Sequence, residues 1–124
     1  MKKIIAILLI IVAVGTYFFA NSKKADVLGS VDTEADLILF WGEGCSHCEK
    51  VKDYIKANNL DSKIKIASKE VYLNQENQKL LTDTVQKCPE IDSSRGIGVP
   101  LAFDVKNNVC LCGDTPIIEW LQAK

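Results

Sequence analysis

Leu37-Ile38-Leu39-Phe40-Trp41-Gly42-Glu43-Gly44-Cys45-Ser46-His47-Cys48 is the stretch that decides how this chain is read. Five successive apolar residues without alternation suit a strand buried on both faces, as in parallel sheets. Gly42 and Gly44 bound that run, and from Cys45 the period changes. Cys48, Val51, Tyr54 and Ile55 recur at helical spacing, while Glu49, Lys50, Lys52, Asp53 and Lys56 occupy the other face. The spacing predicts a helix over residues 45–58. A thiol in the first turn of such a helix faces unpaired backbone N–H groups and the positive end of the helix dipole. Both favour the thiolate, the species that attacks a disulfide. Cys45 is therefore the candidate nucleophile. Cys48, three residues on and on the same side, is the candidate resolving thiol. Between them, Ser46 and His47 are candidates for tuning the pair: a protonated His47 would stabilise the Cys45 thiolate and make the disulfide more oxidising.

Upstream, Lys2 and Lys3 precede residues 4–20, of which 15 in 17 are apolar. About 17–25 residues of helix cross the roughly 30 Å hydrocarbon core of a bilayer, and signal-peptide cores usually run to about 7–15. The segment exceeds the latter and offers no clear small-x-small cleavage site. The expectation is a signal anchor and transmembrane helix over residues 1–24, a linker over 25–36 and a folded domain over 37–124. Lys2 and Lys3 favour a cytoplasmic amino terminus. The domain would then stand outside the cytoplasm, on the periplasmic or cell-surface side, joined to the membrane by a single pass. A secreted form after cleavage is the alternative, and a buried helix of the domain is the other competing reading.

The whole chain has 124 residues, 48% of them apolar, and a formal net charge of −1. That length bounds it to one domain. Residues 25–124 carry 11 basic against 16 acidic groups, a net −5. Nucleic acid is excluded as a partner, because phosphate binding needs a concentrated basic face.

Downstream, Ile64-Lys65-Ile66 begins a second strand that runs through Val71 and Tyr72 towards Leu73. Asn74 is placed to cap a helix through Leu80, Leu81 and Val85 to Cys88, stopped by Pro89. Residues 101–105 and 109–112, separated by Lys106-Asn107-Asn108, read as a β-hairpin. Gly113 breaks it, and Asp114 or Thr115 caps a last helix with Pro116 in its first turn. The order β-α-β-α-β-β-α defines an α/β domain.

With these elements in place, the chain resembles the thioredoxin superfamily. Residues 39–48 look like the strand, tryptophan and redox motif of thioredoxins. Gly98-Val99-Pro100 followed by Leu101-Ala102-Phe103 looks like the cis-proline loop and the strand after it. Cys112-Gly113-Asp114 is similar to the glycine-rich turn of glutaredoxins. The resemblance implies a thioredoxin-like fold with a mixed four-stranded sheet. It also implies thiol–disulfide oxidoreductase activity with Cys45 as nucleophile and Cys48 as resolving thiol. Pro100 would be the cis-proline, with the Val99 backbone pairing to a bound peptide or glutathione. Trp41 is either a substrate contact or a packing residue of the strand end. No cofactor is implied beyond the thiols, and the partners are a protein or small thiol or disulfide substrate and a redox partner. The sequence departs from thioredoxins at Leu39, where they place a buried acid, and at Gly44, where they place a bulky aromatic. Ser46-His47 is closer to the x-His pairs of protein disulfide isomerases and periplasmic disulfide oxidoreductases, which points to oxidation or exchange.

Three further cysteines remain. Cys110 and Cys112, two apart in one strand, share a face and are poorly placed to bridge each other. Cys88 can pair with either, in keeping with an oxidising compartment. Three buried apolar thiols are the competing reading. One structural disulfide and one free thiol are expected. The rival to an oxidoreductase is a metal-binding or metallochaperone module built from Cys45, Cys48, Cys110 and Cys112. A non-catalytic interaction domain on a membrane stalk is the third possibility.

Overall fold

The structure, a computed structural model, describes residues 34–124. The anchor expected over residues 4–20 lies outside the described residues, as does most of the linker. Among the described residues no helix is long and apolar enough to cross a membrane.

Four strands form one mixed sheet: β1 (Leu37–Trp41), β2 (Ile66–Glu70), β3 (Leu101–Asp104) and β4 (Val109–Cys112), in the order β2-β1-β3-β4. β1 is parallel to β2 and antiparallel to β3, and β4 is antiparallel to β3. Three helices cover the sheet: α1 (Ser46–Ala57), α2 (Gln75–Val85) and α3 (Asp114–Gln122). This α/β arrangement is compatible with a thioredoxin-like fold.

The unbroken apolar run of β1 follows from its place in the middle of this sheet. Ile38 and Phe40 face a core with Val71, Leu80, Leu81 and Val85, on the side of α2. Leu37 and Leu39 face a second core with Val51, Ile55, Ile117 and Leu121, on the side of α1 and α3. All four β1 residues are at most 2% exposed. At about 1.5–3 kcal/mol for each fully buried aliphatic or aromatic side chain, they contribute up to about 10 kcal/mol. The strand that delivers the thiols is thus rooted in both cores.

The ends of the elements differ from expectation in informative ways. α1 begins at Ser46 because Cys45 is its extended N-cap. It stops at Ala57, where the Asn58 side chain donates to the Tyr54 carbonyl at 2.9 Å and Asn59 turns into a left-handed conformation. β2 starts later than Ile64 and ends at Glu70, short of Leu73, because the Glu70 carboxylate collects the N–H groups of Tyr72 and Leu73 and bends the chain. Asn74 does cap α2, its side chain accepting from Asn77 N at 3.0 Å. Regular helix ends at Val85, and a turn closed by Cys88 N on the Val85 carbonyl carries the chain on to Pro89. Gly113, rather than Asp114 or Thr115, is the N-cap of α3.

Candidate functional site

Strand β1 delivers the chain to the end of the sheet at Trp41, and the tight turn that follows closes when Cys45 N donates to the Gly42 carbonyl at 3.2 Å. Gly44, at φ +74°, adopts a left-handed conformation that costs a glycine nothing. The turn presents Cys45 as the N-cap of α1, with Cys45 Sγ accepting from Cys48 N at 3.2 Å. The sulfur thus takes one of the N–H groups that a helix start leaves without a partner. Cys45 and Cys48 are disulfide-bonded, with Cα atoms 5.2 Å apart. They differ in access: Cys45 is half-buried, whereas Cys48 is 1% exposed. Only Cys45 can be reached from outside.

The second wall comes from the loop before β3. The Val99–Pro100 peptide bond is cis, and Cys45 Sγ lies 3.7 Å from the Val99 carbonyl oxygen. Pro100 is buried, and its carbonyl accepts from Gly113 N at 2.9 Å. The loop carrying Val99 is thereby tied to the turn that begins α3. Cys45, Cys48, Val99 and Pro100, far apart in sequence, meet at one end of the sheet.

Ser46 is the exposed first residue of α1. His47 is also exposed, and its Nδ1 lies 3.0 Å from Asp114 Oδ2. Lys50 Nζ approaches the same oxygen at 3.2 Å. The His47 side-chain hydrogen bond, with the Lys50 ammonium, outweighs desolvation and lowers the Asp114 carboxyl to about 2. The carboxylate bridges α1 and α3 beside the dithiol. Trp41 is half-buried, with Lys52 Nζ 3.9 Å from its ring centroid, and its indole N–H is buried without a hydrogen-bond partner.

Of the other thiols, Cys88 is bonded to Cys110, with Cα atoms 6.0 Å apart, inside the core on the α2 side. Cys112 is free and exposed, and burial and the nearby Glu90 carboxylate push its thiol up. The metal reading needs Cys110 as a ligand, but that sulfur is committed to Cys88. Among the described residues no group of three or more His, Cys, Asp or Glu side chains could hold a metal ion.

Glu70 is a polar residue that sequence reasoning missed. Its Oε1 accepts from Glu43 N at 3.2 Å and Tyr72 N at 2.8 Å, and its Oε2 accepts from Leu73 N at 2.8 Å. Burial opposes the charged form, but the N–H groups of Leu73, Tyr72, Glu43 and Asn74 prevail and hold the carboxyl below its usual range. All these donors are backbone groups, so residue type gives no sign of them. Comparison with known protein families, with curated proteins and with solved structures finds no match for this chain.

Proposed function

We propose that this chain is a thiol–disulfide oxidoreductase of the thioredoxin superfamily, acting through Cys45 and Cys48. The observation that carries the reading is the setting of Cys45: an N-cap sulfur 3.2 Å from Cys48 N and 3.7 Å from the carbonyl before cis-Pro100. A helix start favours the thiolate, and the neighbouring loop offers backbone groups to a bound substrate.

In the reducing direction the Cys45 thiolate attacks one sulfur of a substrate disulfide. A mixed disulfide forms and the other substrate sulfur leaves as a thiolate. Cys48 then loses its proton and attacks Cys45 Sγ, which frees the second substrate thiolate and leaves the Cys45–Cys48 disulfide. Oxidation of a substrate dithiol is the same sequence reversed. The buried position of Cys48 suits a thiol that meets only Cys45. Leu39 offers no proton relay of the thioredoxin kind, and Ser46-His47 between the cysteines favours oxidation or exchange over general reduction.

The apolar residues 4–20 make the best case for a single-pass anchor, with the domain outside the cytoplasm. The buried Cys88–Cys110 disulfide supports an oxidising compartment. Substitution tests the mechanism: Cys45→Ser should abolish exchange, whereas Cys48→Ser should accumulate mixed disulfides with substrate. Full activity in Cys45→Ser would sink the proposal. The reduction potential then fixes direction, since about −270 mV marks a reductase and about −120 mV an oxidase.

A further inference from the structure

The parallel strands β1 and β2 end side by side, with Trp41 opposite Glu70, and each gives way to a loop. One loop, residues 42–45, leads into the dithiol. The other, residues 71–74, carries Tyr72 and Leu73, which are 55% and 82% exposed, into the cap of α2. Backbone N–H groups leaving a sheet edge need acceptors, and Glu70 supplies them to both loops. Its carboxylate takes Glu43 N from the first and Tyr72 N and Leu73 N from the second. The Tyr72 ring lies so close over Gly42 that an added Cβ there would clash with it. The Glu70 main chain is fixed in turn, its carbonyl accepting from Asn77 Nδ2 at 2.8 Å.

We infer that Glu70 is a positioning residue of the dithiol: by holding the Glu43 N–H it fixes the turn before Cys45, and so fixes the Cys45 sulfur against the first N–H groups of α1. Glu43 is exposed and an added Cβ at Gly44 would meet nothing, so Glu70 acts beside the Cys45 N–H to Gly42 carbonyl bond and the Tyr72 ring in holding the turn. A charge-assisted hydrogen bond reaching 27 residues along the chain is the link that orients it. The inference rests on the thiol–disulfide reading for its consequence in catalysis, but not for its measurement.

Two opposite effects of Glu70 on the Cys45 thiol make the experiment decisive. Taking away a negative charge near a thiol favours the thiolate, whereas loosening the turn disfavours it by misaligning the helix-start donors. Positioning therefore predicts that Glu70→Ala slows alkylation of Cys45 by iodoacetamide in the reduced full-length chain. At neutral pH the rate should drop about fivefold, the equivalent of one hydrogen bond, and the pH profile should move to higher pH. Glu70→Gln, which keeps one acceptor oxygen, should fall between the two. A Cys112→Ser background and peptide-resolved mass spectrometry keep the readout on Cys45. Unchanged or faster alkylation would overturn the inference, as would a loss of melting temperature with no movement of the pH profile. If Glu70→Ala does not fold, Glu70→Gln gives the same decision from the sign of its shift. Failure of the wild-type dithiol to exchange with glutathione disulfide would instead count against the oxidoreductase reading, and the alkylation profiles would still decide Glu70.

Discussion

Asp114 Oδ2 lies 3.0 Å from His47 Nδ1, so the first residue of the last helix holds the imidazole that stands between the two site cysteines. His47 is 62% exposed and Asp114 19%, and the same oxygen is 3.2 Å from Lys50 Nζ. One carboxylate thus joins the His47 imidazole and the Lys50 ammonium of α1 to the start of α3.

The depressed Asp114 carboxyl gives this contact a signature in acid. A carboxyl at about 2 in the folded chain, against an ordinary 3.8, stabilises the fold above the ordinary value. That contribution is lost as pH falls through about 2. Asp114→Asn should therefore lower the urea midpoint at pH 5 and leave it nearly unchanged at pH 2. A difference that persists undiminished at pH 2 would show that the carboxylate charge is not what matters.

The two disulfides should contribute unequally to stability. Cys88 and Cys110 are 22 residues apart in sequence, and the chain-entropy relation gives about 3 kcal/mol for a loop of that size. Replacing both by Ala should lower the unfolding free energy by about that amount in denaturant titrations. Reduction of Cys45–Cys48, separated by 3 residues, should change it by about half as much. Equal losses from the two bridges would contradict the division into a structural and a redox pair.

Trp41 separates packing from substrate contact in one substitution. Its indole N–H has no partner, so Trp41→Phe forfeits no hydrogen bond. Stability should change by no more than about 1 kcal/mol, and the KM for a peptide disulfide should be unaffected if the ring only packs against Lys52. A raised KM at unchanged stability would assign it to the substrate.

Gly113 has φ 89° and ψ 167°, a conformation essentially closed to residues with a Cβ, while its N–H holds the Pro100 carbonyl. Gly113→Ala should cost about 1–3 kcal/mol in thermal unfolding. Because Asp114 follows it directly, the variant should also weaken the carboxylate contact to His47, seen as a shift of the imidazole proton resonances.

Much of this was legible from local sequence. Five apolar residues running without alternation marked β1, the change to helical spacing at Cys45 marked α1, and Asn74 announced its own helix. The hairpin after Pro100 was readable because its turn is polar and its arms are not. What could not be read were links between backbone and distant side chains. Glu70 sits in a lysine- and serine-bearing strand where an exposed acid is unremarkable, and its role depends on N–H groups of Glu43, Tyr72 and Leu73 that have no residue signature. The choice between Cys110 and Cys112 as partner of Cys88 was also beyond sequence. Both point to one face, and only the depth of each along β4 separates a core sulfur from a rim sulfur.

β1 also gives the domain a direction. The chain enters the strand at Asp36, whose N–H donates to the Lys65 carbonyl and whose own carbonyl takes Val105 N. It leaves at Gly42, about 20 Å further on at the usual strand rise over six residue steps. A label coupled at Glu34 would therefore sit near the end of β1 opposite the sulfurs. A bead or an electrode joined there would carry a monolayer with its thiols facing the solution.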